Sequence, residues 1–395
     1  MSNVAALFSR LRRDGFSSEN VGRWYGYPIL PTDARYVLAP PGRSRQGIGG
    51  WIALWVAGEA VPLAALGRAA PSEDERVALV ALGLVEDDAA TLVPRARLLP
   101  WRDLVIASPP AEAFDVSALN VAASLPRAAT LWDVGCGAGL LALVAARAGA
   151  RVFASDVDGE LVEWARLNAA LNGVEVEFAV GDLLAPGAGR AFDAVVFNAP
   201  LVRAPLAVAA GDEPRYSASP EGEALALRFL DGVRARERIL VHTQLSPAIE
   251  RALAAHAARA AVLSVVFARA PDGTPHALTE IRVGEAPSFR RVEVPLSAAC
   301  PHLSRPIFDA LAGPRALADD ATPLPAPWLE LVTRERYDGG TRRALAVTFG
   351  GVAVDDEDVA LLARLSGAPL AALGLSSSAR ERLCVMIERG HVIVR

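Results

Sequence analysis

The chain has 395 residues, more than one ordinary core holds, and its 52% apolar content is ample for two or three domains. A formal net charge of −5, with arginine supplying all the basic charge, gives no general attraction to nucleic acid, and no apolar run approaches membrane-spanning length. Cys136, Cys300 and Cys384 lie too far apart for a disulfide framework or a Cys-x-x-Cys site, and the 5 histidines show no ligand spacing, so no metal is expected.

Met1 to Gly15 lacks a hydrophobic signal core and reads as an amphipathic helix, so a cytoplasmic, reduced protein without a membrane partner is expected. Gly22-Arg-Trp-Tyr-Gly-Tyr-Pro28 is aromatic and glycine-rich and reads as an ordered loop. Helices are expected to begin at Trp51 and at Pro62, with a third from Glu73 to Gly83. Leu84-Val85, a turn at Asp87-Asp88 and Thr91-Leu-Val93 follow as a hairpin. Three short helices and a hairpin are the pattern of a winged helix, a module that binds nucleic acid, binds peptides or dimerises. Arg10, Arg12, Arg13, Arg23, Arg43 and Arg45 cluster here and read as a solvated face. Ala60-Val-Pro-Leu-Ala-Ala-Leu-Gly67 recurs as Ala368-Pro-Leu-Ala-Ala-Leu-Gly374. An acid–arginine pair follows each copy, Glu75-Arg76 and Glu381-Arg382, so a second winged-helix-like unit is expected at the C-terminal end.

Between these flanks, a helix is expected over Asp115 to Leu125 and strands over 130–135, 151–156, 175–181 and 192–197. Helices at 139–148 and 159–171 separate the first three strands, while Gly187 and Gly189 mark a loop where a third crossover helix would be short or missing. A helix from Glu221 to Val233, a strand at 238–243 and a helix at 247–260 come next. The runs 261–268 and 276–283 then form an antiparallel pair around Pro271-Asp-Gly-Thr-Pro275. Beyond them, Arg291 to Leu296 and Arg342 to Phe349 are strand-like, and Pro314 to Trp328 reads as a connecting loop. The expected division is 1–110, 111–285 and 286–395.

Chemistry concentrates at the strand ends of the middle region. Leu131-Trp-Asp-Val-Gly-Cys-Gly-Ala-Gly139 turns from strand to helix through Gly135, Gly137 and Gly139. Glycines there let a ligand approach the backbone, and the helix N-terminus adds free N–H groups. The second strand ends in Asp156, placed as a ribose-binding acid would be, or as the start of a helix cap. The third ends at Gly181-Asp182-Leu183 and the fourth at Asn198-Ala-Pro200.

With these residues in combination, the chain resembles the class I S-adenosylmethionine-dependent methyltransferases, over about residues 111 to 285. Within that class it looks most like the branch with Asn-Pro-Pro-aromatic after the fourth strand, the methyltransferase small domain branch, which methylates glutamine amides and rRNA guanines. Arg166-Leu-Asn-Ala-Ala-Leu-Asn-Gly173 fits that branch too. The resemblance implies an α/β, Rossmann-like sheet of seven strands closed by an antiparallel hairpin and flanked by small α+β domains. It implies S-adenosylmethionine as cofactor, held by the three glycines. Asp133 would take its amino-acid end, Asp156 the ribose hydroxyls, and Asp182 with Leu183 the adenine. Asn198 and Pro200 would orient an acceptor nitrogen. Ala199 and Leu201 depart from the branch pattern, which takes away the aromatic platform for a planar base or amide. Arg203 and Tyr216 are expected to wall the acceptor pocket. The expected acceptor is a small molecule or a peptide or protein nitrogen. An RNA or DNA base bound through the flanking domains is the alternative, a non-catalytic assembly protein on this fold is a third reading, and a homodimer is the expected self-association.

Overall fold

The computed structural model describes residues 2–25, 42–110, 116–200, 223–269, 273–294, 303–312, 322–325, 331–338, 341–349, 352–354, 356–365, 367–388 and 392–394. It comprises two compact units. The first is Met1–Asn198 with Gly232–Glu237, the second Ala199–Asp231 with Arg238–Arg395.

In the first unit, α1 (Ser2–Arg13) and α2 (Ser18–Tyr25) come first. The start of the expected aromatic loop is therefore helical. Val21, Gly22, Trp24 and Tyr25 are buried on α2, because their spacing makes one apolar face that outweighs the glycine signal. Gly26 to Pro28 lie outside the described residues. Next come α3 (Ile48–Ile52), running on into a π-helical turn at Ala53–Ala57, then β1 (Val61–Pro62) and α4 (Leu63–Leu66). α5 (Glu73–Ala81), β2 (Val85–Asp87) and β3 (Thr91–Pro94) complete this part, with sheet order β1-β3-β2. Helices followed by a hairpin is the order expected from the sequence for this region. Trp51 and Trp55 stack at 5.8 Å in its core, and the Trp51 indole donates to the Ala69 carbonyl at 2.9 Å. α5 starts on a capping box in which the Ser72 hydroxyl accepts from Glu75 N–H and the Glu75 carboxylate accepts from Ser72 N–H.

A hairpin that the sequence reading did not foresee follows: β4 (Arg97–Trp101) and β5 (Leu104–Ser108), joined through Arg102 at positive φ. Every residue of β5 is buried. Its outer edge meets side chains instead of another strand, as described below. The chain then enters α6 (Val116–Ser124), β6 (Thr130–Val134), α7 (Leu140–Arg147), β7 (Arg151–Asp156), α8 (Gly159–Asn172), β8 (Glu177–Val180) and β9 (Ala194–Asn198). β6 pairs in parallel with both β7 and β9, and β7 with β8. The third crossover is only a single 3₁₀ turn, Ala185–Gly187. Trp132, Phe153 and Phe192 pack beneath it, and a Cβ on Gly187 would stand 2.4 Å from the Trp132 ring. Only a glycine fits there.

The second unit holds α9 (Ala224–Gly232) up to Asp231, β10 (Arg238–Gln244), α10 (Pro247–Ala257), β11 (Ala261–Arg269) and β12 (Pro275–Arg282). β12 runs antiparallel to both β10 and β11, which is the expected closing hairpin. β13 (Ser288–Glu293) then pairs in parallel with β11, so the sheet has an eighth strand beyond residue 285. The sheet order is β13-β11-β12-β10-β9-β6-β7-β8. α11 (Arg305–Ala312) is clipped to β12 through Arg305, which reaches the fully buried Glu280.

The region read as a loop from Pro314 contains a short strand, β14 (Pro323–Pro325). Its two prolines are tolerated because it lies in a two-stranded sheet, where one edge needs no N–H donors. A three-stranded meander follows, of β15 (Leu331–Asp338), β16 (Thr341–Phe349) and β17 (Val352–Val354). α12 (Asp356–Arg364), a 3₁₀ turn at Leu370–Leu373, α13 (Ser377–Glu388) and β18 (Val392–Val394) end the chain, with β18 paired to β14. Leu361, Leu365, Leu370, Leu383 and Met386 form its core.

The internal repeat is visible in three dimensions. Pro62 and Pro369 both stand extended before a short helical turn, and Ser72 and Ser376 each cap the next helix. Aligned on those caps, the buried Leu79 matches Leu383, and Arg76 matches Arg380. The acid–arginine pairs noted in the sequence are two residues out of step.

Candidate functional site

The parallel register decides which residues share an edge. Val134 lies opposite Ser155 on β7 and opposite Phe197 on β9. Gly135, Asp156 and Asn198 come next along the three strands, so they emerge in one row at the carboxyl edge. Asp156 in turn lies opposite Val180 on β8, which leads directly into Gly181-Asp182-Leu183. Ligands in open α/β sheets bind outside this edge.

The three glycines of the first turn have different tasks. All have positive φ, 64° at Gly135, 53° at Gly137 and 90° at Gly139. A Cβ on Gly139 would meet Ala165 at 3.0 Å and Leu143 at 3.1 Å, so this glycine lets α7 and α8 approach each other. A Cβ on Gly135 would press on the Phe197 ring at 3.2 Å. At Gly137 nothing lies within 4 Å, which leaves its backbone open to a ligand.

Asp156 is wired to that open turn. Its Oδ2 accepts from Gly137 N–H at 2.8 Å and its Oδ1 from Asp158 N–H at 3.0 Å. A carboxylate offers about four acceptor positions, so these bonds leave capacity for a further donor. Burial raises its pKa, against the lowering effect of the Asp158, Gly137 and Val157 N–H groups. The helix-cap role belongs to Asp158, whose Oδ1 accepts from Glu160 N–H at 2.9 Å.

Asp133 lies two residues before Gly135, on β6. It is fully buried, with Oδ2 accepting from Ala142 N–H at 3.0 Å and Oδ1 without any hydrogen-bond partner. Burial, and secondarily the neighbouring charge of Asp156, raises its pKa to about 8, although the Ala142 bond pulls the other way. The Cys136 thiol in the same turn is pushed up for the same reason and is inert at neutral pH.

Asp182 is exposed at the end of β8, and Leu183 adopts positive φ of 48°. Two residues that the sequence reading passed over stand beside these acids. Val157 is 69% exposed and Val180 57%, each adjacent to a site residue. Apolar side chains left open next to a ribose-type acid can cover a planar ring. The available signal was an apolar residue just past, or at, a strand end. Asn198 closes β9 and is half-buried, Ala199 is buried and Pro200 half-buried. Leu201, Arg203 and Tyr216 lie outside the described residues. Among the described residues no cluster of three or more His, Cys, Asp or Glu could hold a metal ion, and no helix is long and apolar enough to cross a membrane.

Comparison with known proteins finds its matches over the same stretch. Residues 110–210 match the methyltransferase small domain. A ribosomal protein L11 methyltransferase of Dechloromonas aromatica is 47% identical over 76 residues, 19% of this chain and 25% of its own length. A ubiquinone biosynthesis O-methyltransferase of Xanthomonas axonopodis pv. citri is 49% identical over 73 residues, 18% of this chain and 30% of its own length. The chain therefore spans less than a third of these two curated relatives. The solved ribosomal protein L11 methylase of Lactobacillus delbrueckii subsp. bulgaricus is 24% identical with a TM-score of 0.31, covering 42% of this chain and 77% of that one.

Proposed function

We propose that this chain, whose residues 110–210 form a methyltransferase small domain, is an S-adenosylmethionine-dependent methyltransferase acting on a nitrogen of a small molecule or of a peptide or protein. In this reading 111–285 is the donor-binding core, with accessory domains at 1–110 and 286–395. The observation that carries it is the row formed by the open turn at Gly137, Asp156 hydrogen-bonded to that turn, and Asn198 at the end of the adjacent strand.

The bound donor supplies a methyl group on a positively charged sulfur. The residues fit such a ligand. Gly137 leaves room for its backbone approach, and Asp156 keeps acceptor capacity for ribose hydroxyls. Val157 and Val180 offer apolar cover for the adenine, with Asp182 and Leu183 beside its edge. The unpartnered Oδ1 of Asp133 fits a site that receives a cation, because a positive group nearby would both satisfy it and lower its pKa. Asn198 would accept from an acceptor N–H and so aim the nitrogen lone pair, with the Ala199 carbonyl as the second acceptor. Positioning of this kind is the main demand of an in-line displacement.

Calorimetric titration with S-adenosylmethionine and S-adenosylhomocysteine tests the donor site. Wild type should bind and Asp156→Ala should not. Absence of binding to wild type overturns the reading. Asn198→Ala should keep donor affinity and lose methyl transfer to an identified acceptor; full transfer by that variant would remove the orienting role.

A further inference from the structure

The outer edge of β5 is completed by two asparagines of α8. Asn172 accepts from Val105 N–H at 2.9 Å and donates to the Val105 carbonyl at 2.7 Å. Asn168 accepts from Ala107 N–H at 2.7 Å and donates to the Ala107 carbonyl at 2.6 Å. Each carboxamide thus acts as a peptide group of a missing neighbour strand. The spacing explains the fit. Four residues of helix advance about 6.0 Å, and two residues of strand about 6.7 Å, so side chains at i and i+4 meet peptide groups at j and j−2.

The two amides differ in where their second proton goes. Asn172 returns it to its own helix, at the Asn168 carbonyl, 2.9 Å away. Asn168 gives it to the Ala138 carbonyl at 2.9 Å, inside the glycine turn. The peptide group between Ala138 and Gly139 is then pinned at both ends, since Gly139 N–H donates to the Cys136 carbonyl at 2.9 Å. Gly137 and Gly139 flank that group with positive φ, and glycine offers little resistance to rotation. Without Asn168 the Ala138 carbonyl would lose this partner, and the peptide group would lose one of its two anchors.

We propose that Asn168 is a positioning residue that couples the N-terminal hairpin to the donor-binding turn. A displacement of β5 changes the shape of the turn, and a donor held by the turn tightens β5, because coupling of two binding events is reciprocal. This rests on the donor placement proposed above. Asn172 is the internal control, since it grips the same strand and does not touch the turn.

The test combines calorimetry with S-adenosylhomocysteine and amide hydrogen exchange on the full chain. Asn168→Ala should raise the Kd about tenfold and Asn172→Ala by less than about twofold, a contrast within the usual range of coupling. In wild type, S-adenosylhomocysteine should slow exchange at Val105 and Ala107. Equal weakening by both variants, or a change of less than twofold at Asn168, overturns the proposal while leaving the donor site intact. Should Asn168→Ala fail to fold, the wild-type exchange decides alone, and unchanged protection at Val105 and Ala107 on ligand binding overturns it. A wild type that does not bind the probe instead removes the donor reading itself.

Discussion

Asp133→Asn offers the most direct probe of the buried acid at the centre of the site. The wild-type carboxyl has its pKa raised by burial from 3.8 to about 8. Between those values the folded chain holds a proton there that the unfolded chain has released. Stability from this group is therefore complete below pH 3.8 and is lost as pH rises to about 8, at about 1.4 kcal/mol per unit, or about 6 kcal/mol in all. His242 acts in the opposite sense. Burial, then the charge of His276, lowers its pKa from 6.5 to about 3, so the unfolded chain binds the extra proton and stability rises with pH over that range. The two slopes cancel between pH 3.8 and 6.5, leaving Asp133 a fall of about 2 kcal/mol between pH 6.5 and about 8. Asparagine preserves the acceptor for Ala142 N–H and cannot ionise. Urea unfolding of both proteins at pH 5, 6.5 and 8 isolates the acid, because Asp156 and His242 contribute alike to each. The variant should gain on wild type with rising pH, by about 2 kcal/mol over the last interval. A difference that stays flat would mean that Asp133 ionises normally within the fold, and the argument from burial would fail.

Three other substitutions test the architecture. Gly187→Ala drives a methyl into the Trp132 ring at 2.4 Å and should cost about 1–3 kcal/mol in urea unfolding, with a neutral result refuting the close approach. Glu280→Gln leaves two guanidinium groups short of their shared carboxylate. Burial alone would raise that carboxyl, yet hydrogen bonds and charge from Arg305, then Arg282, hold it below its ordinary value. The variant should lose about 3–5 kcal/mol, and thermal denaturation that is unchanged would show the pairs to be idle. Ser72→Ala removes one half of the capping box on α5 and should cost about 1 kcal/mol, read as a lower melting temperature.

The sheet was legible because its strands are short apolar runs ending at turn residues. β7 falls on its expected residues, Arg151 to Asp156, and the row of Gly135, Asp156 and Asn198 follows from register. The hairpin at 97–108 was not legible. Its strands are buried on almost every position, so they lack alternation, and Pro100 sits within one of them. Its turn uses Arg102 at positive φ where glycine or asparagine would have announced it. The clamp was hidden for a related reason. Asn168 and Asn172 sit in a helix, where their spacing marks a face but does not name the strand edge they complete. α2 was misjudged because glycine and aromatics together suggested a loop, while the decisive fact is which side chains become buried.

We propose that the region before the glycine turn, read as a winged helix, bears on which acceptor the site serves. A winged helix that reads nucleic acid places its second helix after β1 against a polyanion. Here that helix, α5, opens with Glu73, Asp74 and Glu75, and its outward side carries Val77, 64% exposed, and Val80, 44% exposed. Several of the nearby arginines hold acceptors within the chain. Arg10 pairs with Glu75 at 2.8 Å, Arg12 donates to the Asp103 carbonyl, and Arg45 grips Glu59 with two nitrogens, at 2.6 and 3.0 Å. An acidic helix start beside a phosphate backbone is repulsive, and Arg10 and Arg45, already paired with carboxylates, are less free to neutralise phosphates. Leu201 points the same way, since a flipped base needs an aromatic or comparably flat partner to stack on. The chemistry of α5 and the leucine at position 201 thus both favour the proposed peptide, protein or small-molecule acceptor over a nucleobase.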